Sequence, residues 1–173
     1  MACLENENIL LRALEPEDLD DMYRWENDSE LWKYGSTIAP YSKFALRDYL
    51  TGSMNDLLQC RQLRLVAVDK NSNRSMGTID LYDYDPINLR AGIGILLDAA
   101  YRHKNYGKEI LELIKEYAFC VLHLNQLFAY ISESNISSFR LFSACGYVQC
   151  GLLKSWKKSA VGFENVYVMQ LIS

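Results

Sequence analysis

An uninterrupted apolar run, AGIGILL, extends from Ala91 to Leu97. It has the length of a strand, is too short for an ordinary helix, and offers no polar face to water. Such a strand is stable only inside a sheet whose faces are both covered. It is followed at once by a cationic, turn-forming stretch, YRHKNYGKEIL, from Tyr101 to Leu111. From Gly107 on, Ile110, Leu111, Ile114, Tyr117, Ala118 and Val121 recur at helical spacing. A buried strand therefore turns through a basic loop into a helix. The first N–H groups of a helix have no partner within it, and with the helix dipole they form an anion site. Aiming several of them at one anion needs residues that tolerate positive φ. Gly does so freely, and Asn is the best substitute. Asn105 and Gly107 meet that need, and Arg102, Lys104 and Lys108 add charge around the same point. The stretch reads as a pyrophosphate cradle; the competing reading is a solvated loop with an ordinary helix cap. It contains neither a GxxxxGK phosphate loop nor GxGxxG, which removes nucleotide kinases and dinucleotide oxidoreductases.

The rest of the chain surrounds this unit with a regular alternation. Asn8–Leu14 reads as a first strand, and Pro16 suits the first position of a helix carrying Leu19, Met22 and Tyr23 on one stripe. Ser42 caps a second helix that ends at Gly52. Gln62–Asp69 and Met76–Tyr84 form a hairpin around KNSNRS, and DPIN turns the chain into the apolar run. QLFAYIS is a strand, NISSFRLFSAC a short helix stopped by Gly146 as a left-handed cap, and YVQCGLL and ENVYVMQLI are strands around a turn near Gly162. The expectation is one α/β (α+β) domain over residues 1–173, with a mixed, mainly antiparallel sheet flanked by helices.

Composition removes other classes. The net charge of −4 argues against nucleic acid or an anionic membrane as partner and suits a cationic substrate. The 5 cysteines form no C-x-x-C pair and there are only 2 histidines, so neither a zinc site nor a disulfide framework is expected. Free thiols, the lack of a leader-like start and the lack of a long apolar run point to the cytoplasm, with no membrane span.

The segment GILLDAAYRHKNYGKEIL resembles the acetyl-CoA loop of the GCN5-related N-acetyltransferase (GNAT) superfamily. That loop is an apolar strand followed by Arg or Gln, two residues, Gly, one residue, and Gly or Ala opening a helix. Arg102 matches the first position and Gly107 the last; Asn105 stands in for the middle Gly. LLRALEPEDLDDMYRWEND, SESNISSFRLFSACGY and CGLLKSWKKSAVGFENVYVMQLI resemble, in order, further segments of the subgroup holding ribosomal-protein N-terminal and spermidine N-acetyltransferases. The resemblance covers nearly the whole chain. It implies the GNAT fold, with its central strands splayed, and acetyl-CoA as donor of an acetyl group to a primary amine.

On that resemblance, the backbone of Ile95 and Leu97 pairs with pantetheine, and amides from His103 through Lys104, Asn105, Tyr106 and Gly107 to Lys108 hold the pyrophosphate. Asn135 reaches the pantetheine arm; as a residue before ISSF it is equally a helix cap. The family often places a Tyr acid where this chain has Phe142, and a Glu on the central strand where it has Gly92. Ser138 is then the substitute at the thiol. Asp80, Glu133 and Tyr82 are candidates to hold a water or the amine, against a solvated surface role for each. Glu26, Asp28 and Glu30 lie where the polyamine branch shapes its substrate site, against an ordinary charged helix end. Trp25, Trp32 and Tyr34 beside them line a pocket or fill the core. The acceptor is expected to be a polyamine-like molecule or a protein N-terminus, and C-terminal edge strands offer a homodimer contact. Because Phe142 and Gly92 depart from the pattern, an acyl-CoA-binding module with little catalysis is the alternative.

Overall fold

The computed structural model describes residues 4–35, 37, 39–52 and 57–173. Strands β1 (Ile9–Ala13), β2 (Leu63–Asp69), β3 (Arg74–Asp85), β4 (Arg90–Leu97), β5 (Gln126–Ser132), β6 (Val148–Ser159) and β7 (Gly162–Ile172) form a 7-stranded sheet in the order β1-β2-β3-β4-β5-β7-β6. Every neighbouring pair is antiparallel except β4–β5. A parallel pair needs a crossover, and α5 (Tyr106–Glu116) supplies it. The other helices are α1 (Leu19–Glu26), α2 (Ser29–Trp32), α3 (Lys43–Gly52), α4 (Leu57–Cys60) and α6 (Ile136–Ala144). The fold class is the one expected from sequence.

The pleat sorts the side chains. Ile79, Leu81, Ala91, Ile93, Leu127, Ala129 and Ile131 join Ile110, Leu111 and Ile114 of α5 and Phe142 of α6 in one buried cluster. The alternate positions, such as Arg64, Asp80 and Tyr82, fall on the opposite face. There α1 buries Met22 and Trp25, and α3 buries Leu46.

Several boundaries differ from expectation. Pro16 opens a 3-10 turn, Pro16–Asp18, that leads into α1. The helix after Gly107 is α-helical only to Glu116 and continues as one π turn, Tyr117–Val121, in which the Leu122 N–H bonds the Tyr117 carbonyl at 3.1 Å. Strands β6 and β7 run further toward Gly162 than the apolar pattern suggests. The outer end of β6 carries exposed charged residues such as Lys154 and Lys158, which break the apolar alternation. Gly146 does take positive φ, +89°, as the cap of α6.

Candidate active site

The sheet is forked at its centre. β4 and β5 pair only at Arg90–Gln126, Ala91–Leu127 and Gly92–Phe128. Beyond that point β4 stays on β3 as far as Leu97, and β5 stays on β7 as far as Ser132. In an antiparallel ladder, alternate residues bond to the partner strand and the others aim their main chain the other way. The Asp98 N–H donates to the Met76 carbonyl at 2.9 Å. The alternation therefore sets Leu96 and Gly94 toward β3, and turns the main chain of Ile95 and Leu97 into the fork. One of those groups has a partner: the Leu97 carbonyl accepts from Arg102 Nε at 2.8 Å. Arg102 thus folds back to brace the strand end.

The loop enters α5 through two left-handed residues, His103 at φ 60° and Asn105 at φ 69°. The expectation for Asn105 agrees; that for Gly107 is corrected. Gly107 lies inside the first turn of α5 and is buried, and it has no positive φ. A Cβ there would sit 3.1 Å from Leu141 Cδ2 and 3.3 Å from Leu97 Cδ1. Close packing of α5 against β4 and α6 leaves little room for a side chain, and the left-handed turn falls to His103 instead. Among the described residues no protein acceptor takes the amides from His103 to Gly107. The Lys108 N–H already donates to the Asn105 carbonyl at 3.1 Å, so Lys108 offers its exposed ammonium rather than its amide. Lys104 is exposed beside it, and Tyr101 and Tyr106 bracket the loop with an edge contact of 5.8 Å.

Across the fork, Asn135 caps α6: its side chain accepts the Ser138 N–H at 3.2 Å. Ser138 is half-buried in the first turn. Glu133 follows β5 and is held by Asn165 Nδ2 at 3.0 Å and the Tyr167 hydroxyl at 3.4 Å, both on β7. Phe142 is 3% exposed and stacks edge-on with Tyr147 at 5.0 Å, within the core.

On the opposite face, Arg64 of β2 gathers two of the sequence candidates. Its Nε and Nη2 donate to the two oxygens of Asp80 at 2.6 and 3.2 Å, and its Nη1 donates to Glu26 at 2.9 Å. Burial pulls the guanidinium pKa down, but the charge and hydrogen bonds of Asp80, with smaller contributions from Tyr49 and Glu26, leave it raised. Asp80 and Glu26 are therefore members of an ion-pair cluster and not free carboxylates. Glu30 lies apart, exposed and paired with Lys33 at 3.2 Å. Trp25 is buried and its indole donates to Asp98 at 3.0 Å; Trp32 donates to the Glu26 carbonyl at 2.7 Å; Tyr34 is exposed. Asp98, the residue after β4, also pairs with Arg24 and accepts the Ala100 N–H. Burial acts to raise its pKa, but the bonds from Trp25, Ala100 and Arg24 bring it down to about 2. Tyr82 is partly buried at the fork itself.

Sequence reasoning missed Arg64 and Asp98. For Arg64 a signal existed: a cation at a period-2 position in line with Val66 and Val68 announces a partnered charge. For Asp98 nothing in the spacing names Arg24 or Trp25.

Residues 8–148 match the family model described as an acetyltransferase (GNAT) domain. An uncharacterized N-acetyltransferase p20 from Bacillus licheniformis is 28% identical over 99% of this chain and 97% of its own. A spermidine N(1)-acetyltransferase from Vibrio cholerae is 24% identical, covering 86% of this chain and 83% of its own. The crystal structure of spermidine N-acetyltransferase from Vibrio cholerae, in complex with CoA and spermine, superposes with a TM-score of 0.88 at 21% identity, over 96% of each chain.

Proposed function

The chain belongs to the GNAT acetyltransferase family and is an acetyl-CoA-dependent N-acetyltransferase, and from that premise we propose that its acceptor is the primary amine of a polyamine-like small molecule and that the β4–β5 fork is its donor site. The observation that carries the donor assignment is the fork itself, which opens directly onto the amides of His103–Gly107 at the start of α5. The acceptor class is supported by the relatives named spermidine acetyltransferases in Vibrio cholerae and Escherichia coli, and by the net charge of −4.

In this reading the pyrophosphate lies on the loop amides, with Lys104 and Lys108 beside it. The pantetheine arm runs along the main chain of Ile95 and Leu97, and Asn135 borders it. The thioester carbonyl is polarised by the Leu97 amide. The neutral amine attacks that carbonyl: a C–N bond forms, the C–S bond breaks, and the amine proton leaves. Ser138 supplies a hydroxyl to the departing thiolate, which ends as the CoA thiol. Even unaided, a thiolate whose pKa is about 8.5 is a serviceable leaving group. Both oxygens of Asp80 are held by Arg64. Its charge therefore orients the acceptor, and the proton passes to Glu133 or to water. Tyr82, Glu26 and Glu30 border the acceptor side. We place the activity in the cytoplasm: Cys60, Cys120, Cys145 and Cys150 are all free, and among the described residues no helix is long and apolar enough to cross a membrane. A second copy is the expected protein partner, through the exposed Leu152, Trp156 and Phe163 of the β6–β7 hairpin.

The test is release of CoA thiol from acetyl-CoA against polyamines, amino acids, aminoglycosides and N-terminal peptides. Release with polyamines is the expected result; release with peptides alone would overturn the acceptor assignment. For the donor site, Lys104→Glu with Lys108→Glu is expected to weaken acetyl-CoA binding about tenfold or more, the scale of lost charge-assisted contacts. Unchanged affinity in calorimetry would remove the cradle.

A further inference from the structure

We infer that Tyr82 is the positioning residue that holds the β4–β5 fork open. The inference rests on the reading of that fork as the donor site.

Tyr82 of β3 is the cross-strand partner of Gly92 on β4, and Gly92 is the last β4 residue that pairs with β5. The Tyr82 ring lies directly on that glycine. A Cβ at Gly92 would fall 2.2 Å from Tyr82 Cε2 and 2.4 Å from Cζ, and one at Gly94 would still meet the ring edge at 3.8 Å. The ring crosses β4 without a side chain in its way and arrives at β5. There it meets Phe128 edge-on at 5.9 Å, and Phe128 in turn meets Tyr130 at 5.5 Å. A single side chain therefore spans from β3 to β5 at the branch point.

The position of the ring explains why the strands part here. In a continued parallel ladder the Tyr130 N–H would donate to a β4 carbonyl. Bringing β5 close enough for that bond would have to expel the aromatic ring that rests on Gly92 and against Phe128. Burial pushes the phenol pKa up to about 12, which keeps the group neutral in its site. Two features aim the ring. The β3–β4 register shifts immediately after Tyr82, and Asp83 has φ 49°; such a bulge turns its strand and redirects neighbouring side chains. The same contact accounts for glycine at position 92. The central-strand Glu of the family resemblance would need the space that the ring fills.

The experiment measures acetyl-CoA affinity by calorimetry on Tyr82→Phe, Tyr82→Leu, Gly92→Ala and the Leu/Ala double variant, with folding followed by near-UV circular dichroism. Tyr82→Phe keeps the prop and is expected to bind within about threefold of wild type, whereas Tyr82→Leu and Gly92→Ala are each expected to lose about tenfold. With the ring already gone, Gly92→Ala adds nothing to Tyr82→Leu, a non-additivity that independent packing losses would not produce. Wild-type affinity in folded Tyr82→Leu overturns the inference; if that variant does not fold, wild-type affinity in Gly92→Ala overturns it. The Lys104→Glu, Lys108→Glu protein is measured alongside. If it loses affinity while the fork variants do not, the prop fails and the donor site stands. If no variant loses affinity, the donor-site reading falls and the prop with it.

Discussion

Replacing Arg64 with Met removes the centre of a three-residue ion-pair cluster and leaves its volume. Arg64, Glu26 and Asp80 expose 21%, 21% and 16% of their side chains, so the cluster is largely withdrawn from water. Removing one partner from a buried pair costs about 3–5 kcal/mol, because the charge left behind is neither solvated nor paired. The residual exposure places this case at the low end, about 3 kcal/mol, and at 2–4 °C per kcal/mol for a chain of this size the melting temperature should fall by about 6–12 °C. Arg64→Lys keeps the charge but not the fork-shaped, three-contact geometry and should lie between wild type and Arg64→Met. Thermal denaturation at pH 7 is the assay. A shift at pH 7 smaller than about 2 °C, the value of under 1 kcal/mol, would refute the account of these charges as a buried, mutually dependent cluster.

Asp98 gives a pH-dependent outcome. Its folded pKa, about 2, lies below the ordinary carboxylate value, so its stabilising contribution is complete above about pH 4 and is lost as the pH falls through the folded value. Asp98→Asn should therefore melt below wild type at pH 5–8 and match it near pH 2; a gap that persists at pH 2 would count against the ionised Asp98 bracket. Gly107→Val should destabilise by about 1–3 kcal/mol, the cost of overpacking, because even a lone Cβ crowds Leu141 and Leu97. An unchanged urea midpoint would show that α6 and β4 give way easily.

How legible all this was depended on the range of the physics. The order of elements could be read because it is written locally: the alternation of QLRLVAVD, the helical stripe from Ile110, and the caps at Asn105 and Gly146 each act within a few residues. The basic loop was readable for the same reason. What could not be read depends on partners distant in sequence. Glu26 and Asp80 are each ordinary acids until the sheet brings Arg64 between them. Gly107 was identified as special but for the wrong cause, since crowding by Leu141 leaves no trace near position 107. The place of Tyr82 over Gly92 follows from a cross-strand register that only the folded hairpin defines.

The three residue pairs that join β4 to β5 have a consequence for the material properties of the protein. They are the whole of the backbone pairing between a half-sheet of β1–β4 and one of β5–β7, and past Gly92 the amides that face the fork have no partner strand across it to slow their hydrogen exchange. A pantetheine arm lying along β4 would serve as a splint across that seam, adding rungs that the polypeptide omits. Its grip would then be felt as rigidity: by mass action, a hundredfold excess over the dissociation constant adds about 2.7 kcal/mol to the folded state. Resistance to heat and to proteases would rise and fall with the acetyl-CoA supply, making the enzyme's own lifetime a gauge of its donor.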